Sequence, residues 1–155
     1  MVYRLYASGD FEPLYAIEEL CFLPPFRFGR RYMRYLVDAP NSATWIADKD
    51  GQMAGFAIVD WNRENAGLIA YIQTIEVTPA QRGRGIGKEL MERVEASARA
   101  AGAVSIWLHV DEQNSLAVRL YEAHGYTSEG RQQDYYAPGR AALIYLKRLA
   151  SEPVT

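Results

Sequence analysis

Residues 81–87 read QRGRGIG and join an apolar segment, residues 68–77, to the most regular helical pattern of the chain, residues 85–101. Apolar side chains recur at every fourth position of that pattern, which predicts an amphipathic helix with one buried face. A helix N-terminus exposes unpaired backbone N–H groups and the positive end of the helix dipole. Because glycines lack a Cβ atom, they let a phosphate group approach the backbone closely. This part of the chain therefore predicts a strand, a turn that binds an anion, and a helix.

Turn residues and hydrophobic periodicity divide the rest of the chain into further helices and strands. We expect helices over residues 10–22, with Asp10 as the N-cap, over residues 30–38 and 85–101, and over residues 114–124, with Asn114 as the N-cap. We expect strands over residues 2–7, 44–48, 52–62, 68–77, 104–110, 126–136 and 141–149. On helix 85–101, Glu89–Arg93 and Glu95–Arg99 have the spacing of ion pairs on a solvated face. This order predicts an α/β fold with a mixed sheet and helices on both faces.

The chain has 155 residues, of which 49% are hydrophobic and 23% are charged. This is typical of one globular domain, which we place at residues 1–150, followed by a frayed tail at residues 151–155. A net charge of −2 argues against nucleic acid as the main partner. The single cysteine, Cys21, excludes an internal disulfide, and the sequence shows neither a secretion signal nor an apolar run of about 18 residues. We therefore expect a soluble, cytoplasmic protein that binds neither nucleic acid nor membranes.

The glycine spacing in residues 82–87 separates this turn from two common phosphate-binding motifs. The Walker pattern requires Ser or Thr after its lysine, but Glu89 follows Lys88, and the dinucleotide-binding pattern requires glycine where Lys88 stands. What remains is Arg82-x-x-Gly85-x-Gly87 behind a strand that ends in I-E-V-x-P. This motif resembles the acetyl-CoA pyrophosphate loop of the GCN5-related N-acetyltransferase (GNAT) family. Residues 114–126 read N-x-x-A-x-x-x-Y-x-x-x-G-Y and resemble a second segment of the same family.

The element order also agrees with this family over nearly the whole chain. The resemblance implies a mixed, mostly antiparallel central sheet flanked by helices on both faces, and an N-acetyltransferase that works by direct attack in a ternary complex. It implies acetyl-CoA as the co-substrate and no metal. The Val77 N–H would polarise the thioester carbonyl, and Tyr121 would protonate the departing thiolate. The residues implied in cofactor binding are Ile75, Val77, Arg82, Gly83, Arg84, Gly85, Ile86, Gly87, Lys88, Asn114, Ala117 and Tyr121.

Tyr71 and His109 resemble a pair in the protein Nα-acetyltransferase branch of the family, in which a tyrosine and a histidine or glutamate hold a water that relays the proton of the amine. The ribosomal-protein-alanine acetyltransferases of bacteria typically carry glutamate at the position of His109, and the chain departs from them there. A neutral imidazole, which titrates near ~6.5, suits an α-amine of pKa about 7.7–8.0 better than a lysine of about 10.4. Glu76 is the alternative base, although strand alternation predicts that its side chain faces away from Tyr71 and Val77. Tyr71, His109 and Tyr121 are thus the expected catalytic residues.

Two further segments, residues 22–28 and 134–136, resemble the site that binds the N-terminus of a peptide or protein in the same branch. The residues implied in acceptor binding are Pro24, Phe26, Tyr71, Tyr135 and Tyr136. The acidic residue that this branch often carries before the final strand is absent from residues 140–142. Two alternatives stay open: the acceptor is a small amine such as a polyamine, an amino acid or an antibiotic, or the domain binds acyl-CoA without catalysis. The histidines and the cysteine lack the spacing of metal ligands, so we expect no metal site.

Overall fold

A computed structural model describes residues 1–149, so Ala150 and the expected tail at residues 151–155 lie outside the described residues. Its helices are α1 (Phe11–Cys21), α2 (Arg30–Asp38), α3 (Ile86–Ala101) and α4 (Ser115–Ala123). Its strands are β1 (Val2–Leu5), β2 (Ser42–Lys49), β3 (Gln52–Glu64), β4 (Gly67–Val77), β5 (Ser105–Asp111), β6 (Thr127–Ala137) and β7 (Arg140–Arg148). None of the helices in this range is long and apolar enough to span a membrane.

The strands of residues 1–149 form one sheet in the order β1-β2-β3-β4-β5-β7-β6. β4 and β5 are parallel, with α3 as the crossover between them, and the other neighbouring pairs are antiparallel. On one face, α1 and α2 bury side chains such as Leu14 and Met33 against Phe56 of β3. On the other face, α3 and α4 pack against a second core that includes Leu90 and Ile106. The predicted fold class, a mixed and mostly antiparallel sheet with helices on both faces, is confirmed.

The ends of α1 and α3 show which local predictions are right. Gly85 precedes α3 with φ +81° and Gly102 follows it with φ +96°, left-handed conformations that favour glycine. Asp10 directly precedes α1, as predicted, but its side chain does not cap that helix. A short 3₁₀ turn, Ser8–Asp10, turns the Asp10 carboxylate back, and this group accepts a hydrogen bond from the Ala7 N–H at 2.8 Å. The prediction of a side-chain cap for α1 is therefore wrong.

Glu95 is buried in α3 rather than exposed to solvent. Its carboxylate contacts the Lys147 ammonium at 2.9 Å and accepts a hydrogen bond from the Tyr126 O–H at 3.1 Å. The predicted surface ion pair between Glu95 and Arg99 is wrong, because β7 and the segment before β6 supply the partners of this carboxylate. The predicted Glu89–Arg93 ion pair, in contrast, is present at 3.0 Å.

A β-bulge interrupts the pairing of β4 with β3. Ile58 lies opposite Thr74 and Val59 opposite Ile72, so Gln73 is an extra residue in β4. A bulge of this kind disrupts the regular alternation of the strand, because two residues face one on the partner. Side chains that follow Gln73 therefore point to the face opposite to the one that uninterrupted alternation predicts.

The sheet is split near its centre. Within the described residues, β4 and β5 pair only from Ile69 with Ser105 to Tyr71 with Trp107. Beyond this point the two strands diverge, while β4 stays paired with β3 and β5 stays paired with β7. The second half of β4 therefore has one side that faces open space instead of a neighbouring strand.

Candidate active site

A cavity of about 1050 Å³ occupies the split between β4 and β5. Its walls carry aromatic side chains from the loop between α1 and α2, from β4 and β5, and from the end of β6. The predicted acceptor-binding and catalytic residues that line it are Pro24, Phe26, Tyr71, His109, Tyr135 and Tyr136. The predicted cofactor-binding residues that line it are Ile75, Asn114, Ala117 and Tyr121. Residues from distant parts of the sequence thus meet in one space, as the sequence predicted.

Tyr71 and His109 are joined side by side across the start of the split. The Tyr71 hydroxyl lies 2.9 Å from His109 Nδ1, and His109 Nε2 lies 3.1 Å from Gln132 Oε1. Because the Gln132 oxygen can only accept, the hydrogen of the neutral imidazole belongs on Nε2. His109 Nδ1 then accepts a hydrogen bond from the Tyr71 O–H. The imidazole also stacks on Tyr135, with ring centroids 4.3 Å apart and an angle of 4° between the ring planes.

Burial sets the protonation of this pair. It lowers the pKa of His109, although the hydrogen bond to Gln132 partly opposes this change. Burial also raises the pKa of Tyr71, and the neighbouring Tyr135 adds to this effect. At neutral pH, the pair is therefore a neutral imidazole that accepts from a protonated phenol. Such a pair can pass a proton from Tyr71 to His109 when the Tyr71 oxygen receives one.

The backbone N–H groups of Ile75 and Val77 face the split. The Thr78 N–H donates to the Ala54 carbonyl on β3 at 2.9 Å. Because the backbone groups of successive strand residues point alternately to the two sides, those of Val77 and Ile75 point away from β3. Ile75 and Tyr71 both line the cavity, whereas Val77 is not one of the residues that line it.

The glycine turn, residues 82–87, lies outside the cavity and continues from the end of β4 to α3. Gly83 and Gly85 have φ angles of +80° and +81°, and the open space beside each of them leaves room for a ligand against the backbone. The first intrahelical bond of α3 runs from the Glu89 N–H to the Gly85 carbonyl, so the N–H groups of residues 86–88 point out of the helix end. The Arg82 side chain instead holds the turn to β4, with Nε donating to the Val77 carbonyl at 3.0 Å.

Asn114 and Tyr121 belong to α4 and its cap. The Asn114 side chain accepts a hydrogen bond from the Ala117 N–H at 3.2 Å, which confirms its role as an N-cap. Asn114 lines the cavity, and its amide nitrogen remains available as a donor. Tyr121 is buried, and its burial raises the pKa of the phenol, so this residue keeps its proton at neutral pH. Tyr121 also packs edge-to-face on Tyr126, with ring centroids 5.6 Å apart.

Two carboxyl groups are buried beside the cavity. Glu18 of α1 is fully buried and Glu76 of β4 is 3% exposed. The bulge at Gln73 turns Glu76 to the α1 face of the sheet, where it meets Glu18 and accepts a hydrogen bond from Thr74. The prediction that Glu76 faces away from Tyr71 is therefore wrong, because it assumed uninterrupted alternation.

Among the residues of the site that were not predicted from the sequence, three contact or lie beside the predicted groups. They are Gln132, which contacts His109, Glu18, which lines the cavity, and Trp107, whose ring centroid lies 4.5 Å from that of Tyr71. Alternation along β5 places Trp107 on the same face as His109, so this residue carried a usable signal. Gln132 carried none, because its side of the sheet depends on a shift in the pairing of β6 with β7 between Ser128 and Gly130.

Comparison with protein families and curated proteins gives several matches. A family model described as "Acetyltransferase (GNAT) family" matches residues 11–126. The streptothricin acetyltransferase of Streptomyces lavendulae is 38% identical over 97 residues, which cover 62% of this chain and 50% of that protein. A mycothiol acetyltransferase of Thermobispora bispora is 35% identical over 89 residues, which cover 54% of this chain and 29% of that protein. The chain thus spans half the length or less of these two relatives.

Three further matches cover most of the chain. The ribosomal protein bS18-alanine N-acetyltransferase of Haemophilus influenzae is 31% identical over 134 residues, which cover 82% of each protein. The solved structure of the Escherichia coli ribosomal-protein-S18-alanine N-acetyltransferase has a TM-score of 0.83 at 22% identity and covers 99% of this chain and 98% of that one. The structure of Arabidopsis thaliana NAA60 with a bisubstrate analogue has a TM-score of 0.81 at 23% identity, covering 95% and 97%. At these identities, the two solved structures show a shared fold.

Proposed function

The chain belongs to the acetyltransferase (GNAT) family, and on that premise we propose that it transfers the acetyl group of acetyl-CoA to the α-amine of a peptide or protein N-terminus. The observation that carries this proposal is the hydrogen-bonded Tyr71–His109 pair, which faces the split between β4 and β5 inside an aromatic cavity. The amine would enter beside this pair, and the thioester would lie in the split. Attack would then be direct, in a ternary complex and without an acyl-enzyme.

Backbone groups would hold most of the acetyl-CoA. The pantetheine arm carries amide groups, which can pair with the open side of β4 as a neighbouring strand would. The pyrophosphate would accept hydrogen bonds from the N–H groups of the glycine turn and the start of α3. The Asn114 amide would donate to the pantetheine arm.

The Ile75 N–H is the donor that we propose for the thioester oxygen, in place of the Val77 N–H expected from the sequence. Ile75 lines the cavity together with Tyr71, and Val77 lies farther along β4 toward the glycine turn. A preorganised N–H at this position stabilises the negative charge that develops on the oxygen during attack. Removal of one such donor costs about 10²–10³ in rate in other enzymes.

The Tyr71–His109 pair would take the proton of the attacking amine. The Tyr71 oxygen would receive this proton, directly or through a water, while the Tyr71 hydrogen moves to His109 Nδ1. The half-buried, neutral imidazole is suited to this step because its lowered pKa keeps Nδ1 free of a proton at pH 7. On the other side of the split, the Tyr121 O–H would donate to the departing sulfur.

Three observations support an α-amine as the acceptor. An imidazole of lowered pKa is a weak base, and an α-amine of pKa about 7.7–8.0 needs less help to lose its proton than a lysine of about 10.4. The cavity walls at Phe26, Tyr135 and Tyr136 offer flat apolar surfaces and hydroxyl groups, which can contact an extended peptide. The Haemophilus influenzae relative, which aligns over most of both chains, is named for acetylation of a protein alanine.

A small amine is the second candidate acceptor. The Streptomyces lavendulae relative has a higher identity, 38%, and is named for the antibiotic streptothricin. Its alignment covers 62% of this chain, however, and acceptor sites in loops vary between members of one fold.

A panel of amines with acetyl-CoA tests the proposal. It compares short peptides with free N-termini, the same peptides with blocked N-termini, blocked peptides that contain lysine, polyamines and streptothricin. Release of free thiol gives the rate, and mass spectrometry locates the acetyl group. We expect the free N-termini to be acetylated and the matched blocked peptides to be inert.

Acetylation confined to lysine side chains, polyamines or streptothricin would refute the α-amine proposal and leave acetyl-CoA binding intact. If isothermal titration shows acetyl-CoA binding but no amine releases thiol, the chain is a domain that binds acyl-CoA without catalysis.

A further inference from the structure

Glu18 of α1 and Glu76 of β4 form a buried carboxyl pair that the proposed proton path does not use. One oxygen of each group has a partner: Glu18 Oε2 accepts from the Phe28 N–H at 3.0 Å, and Glu76 Oε2 accepts from the Thr74 hydroxyl at 2.8 Å. The second oxygen of each, Oε1, is buried and has no hydrogen-bond partner among residues 1–149 if both groups are ionised. Two buried acceptors without donors are costly, so a donor is needed between them.

The surroundings of the pair supply no positive charge to either carboxyl. Within residues 1–149, no Lys, Arg or His side chain forms an ion pair with Glu18 or Glu76. From α1, the thiol of Cys21 also faces the pair, and burial raises the pKa of this thiol. The Arg82 guanidinium contacts Cys21, with Nη2 3.6 Å from its sulfur. From β3, the residue opposite Glu76 is the apolar Phe56.

One proton between the two carboxyl groups satisfies both buried oxygens. A protonated Glu76 can donate its O–H to Glu18, whereas two ionised carboxylates in contact repel each other. Burial and the facing carboxyl of Glu18 raise the pKa of Glu76 well above its usual range, which agrees with this geometry.

We propose that Glu18 and Glu76 share one proton and act as a positioning pair, which holds the acceptor loop, residues 22–28, against the end of β4. The positioning role rests on the proposed function, since this loop carries Pro24 and Phe26, which are predicted to bind the acceptor. Glu18 holds the loop by accepting a hydrogen bond from the Phe28 N–H. The Tyr15 O–H holds the same residue by donating to the Phe28 carbonyl at 2.8 Å.

On the strand side, Glu76 holds Thr74, and between these two residues lies Ile75, whose N–H faces the split. The shared proton therefore links the acceptor loop to the Ile75 backbone, which would contact the thioester. Loss of the proton at high pH breaks this link.

The pH dependence of thermal unfolding tests the shared proton without any assay of activity. In an unfolded chain, Glu76 loses its proton near pH ~4.3, while the folded pair keeps one, so the stability of the wild type falls as pH rises above that value. Glu76→Gln supplies an N–H donor at every pH and removes this fall. We expect Glu76→Gln to raise Tm at pH 8 by roughly 3 °C or more, and the gain to shrink toward pH 4.5. Glu18→Gln should behave in the same way, because an amide at position 18 would supply the N–H donor from the other side of the pair.

Glu95→Gln is the matched control for a buried glutamate. Glu95 contacts the Lys147 ammonium, so its replacement should lower Tm at pH 8, where Glu76→Gln raises it. A Glu76→Gln variant that loses stability at pH 8 as Glu95→Gln does would overturn the shared proton.

Amide hydrogen exchange of residues 22–28 and acceptor kinetics test the positioning role. Glu76→Ala should speed exchange in the loop and raise the KM for the acceptor about tenfold, and Glu76→Gln should restore most of both. In the wild type, but not in Glu76→Gln, the KM for the acceptor should rise at alkaline pH. Equal defects in the Ala and Gln variants would overturn the proposal. If the wild type acetylates no amine, the proposed function fails, and the unfolding and exchange series still decide whether the pair holds the loop.

Discussion

The two walls of the split between β4 and β5 are built from different kinds of atoms. On the cofactor wall, the groups suited to acetyl-CoA are backbone N–H groups, at Ile75, at Val77 and in the glycine turn of residues 82–87. On the acceptor wall, the groups suited to an amine are side chains, above all Tyr71 and His109. A wall of backbone depends on where glycine permits the chain to turn. A wall of side chains depends on the register of strands that are distant in sequence, so substitutions should affect the two walls separately.

The largest effect should follow from loss of the imidazole on the acceptor wall. His109→Ala removes the group that accepts the Tyr71 proton, and we expect kcat to fall about 10²-fold. Because His109 does not contribute to the backbone of the cofactor wall, the Kd for acetyl-CoA should stay within about twofold of the wild type. Steady-state kinetics and isothermal titration measure the two quantities. His124→Ala is the control, since that ring instead contacts the Leu120 carbonyl at the end of α4. An unchanged kcat in His109→Ala would leave Glu76 or solvent water as the base.

A smaller effect should come from the cofactor wall. Gly85 has φ +81°, and a β-branched side chain in that conformation costs roughly 1–2 kcal/mol. Gly85→Val should therefore shift the turn and raise the Kd for acetyl-CoA about tenfold. Gly102→Val introduces similar strain at the other end of α3, where φ is +96°, and should leave this Kd unchanged. Equal losses of affinity in both variants would mean that general destabilisation, and not the turn, limits binding.

The smallest effect concerns pH on the acceptor wall. Burial lowers the pKa of His109, so the imidazole should become protonated only below its usual value near ~6.5. A protonated imidazole cannot accept the Tyr71 proton, and kcat at saturating substrates should therefore fall severalfold between about pH 7 and pH 5.5. The profile of His109→Ala should lack this acid limb. A limb of the same midpoint in both proteins would assign it to the amine itself.

The sequence predicted the elements of the fold well where local residues decide them. Gly85 and Gly102 mark the ends of α3, and Asn114 begins α4, because each of these features depends on neighbours within one turn. Asp10 and Glu95 were predicted wrongly because each carboxylate binds a different group from the one expected. The 3₁₀ turn redirects Asp10, and Lys147, far along the chain, binds Glu95.

The site was predictable to the extent that it follows from motifs. Tyr71, His109 and the aromatic residues predicted for the acceptor site line one cavity, and the glycine turn leads into α3. The roles of these residues remain predictions. The orientation of Glu76 could not be predicted, because a bulge at Gln73 leaves no mark in the pattern of apolar residues. Gln132 could not be predicted either, since irregular strand pairing brings it to His109.

The split also places an unpaired strand edge in the interior of a sheet, rather than at its margin. Exposed edges of this kind can pair with other chains, and proteins usually cover or shorten them. Under the proposed function, the pantetheine arm of acetyl-CoA covers the open side of β4. The metabolite would then protect the protein from aggregation as well as serve as its substrate. When acetyl-CoA is scarce, the population of empty molecules, and with it the loss of protein to aggregates, should grow.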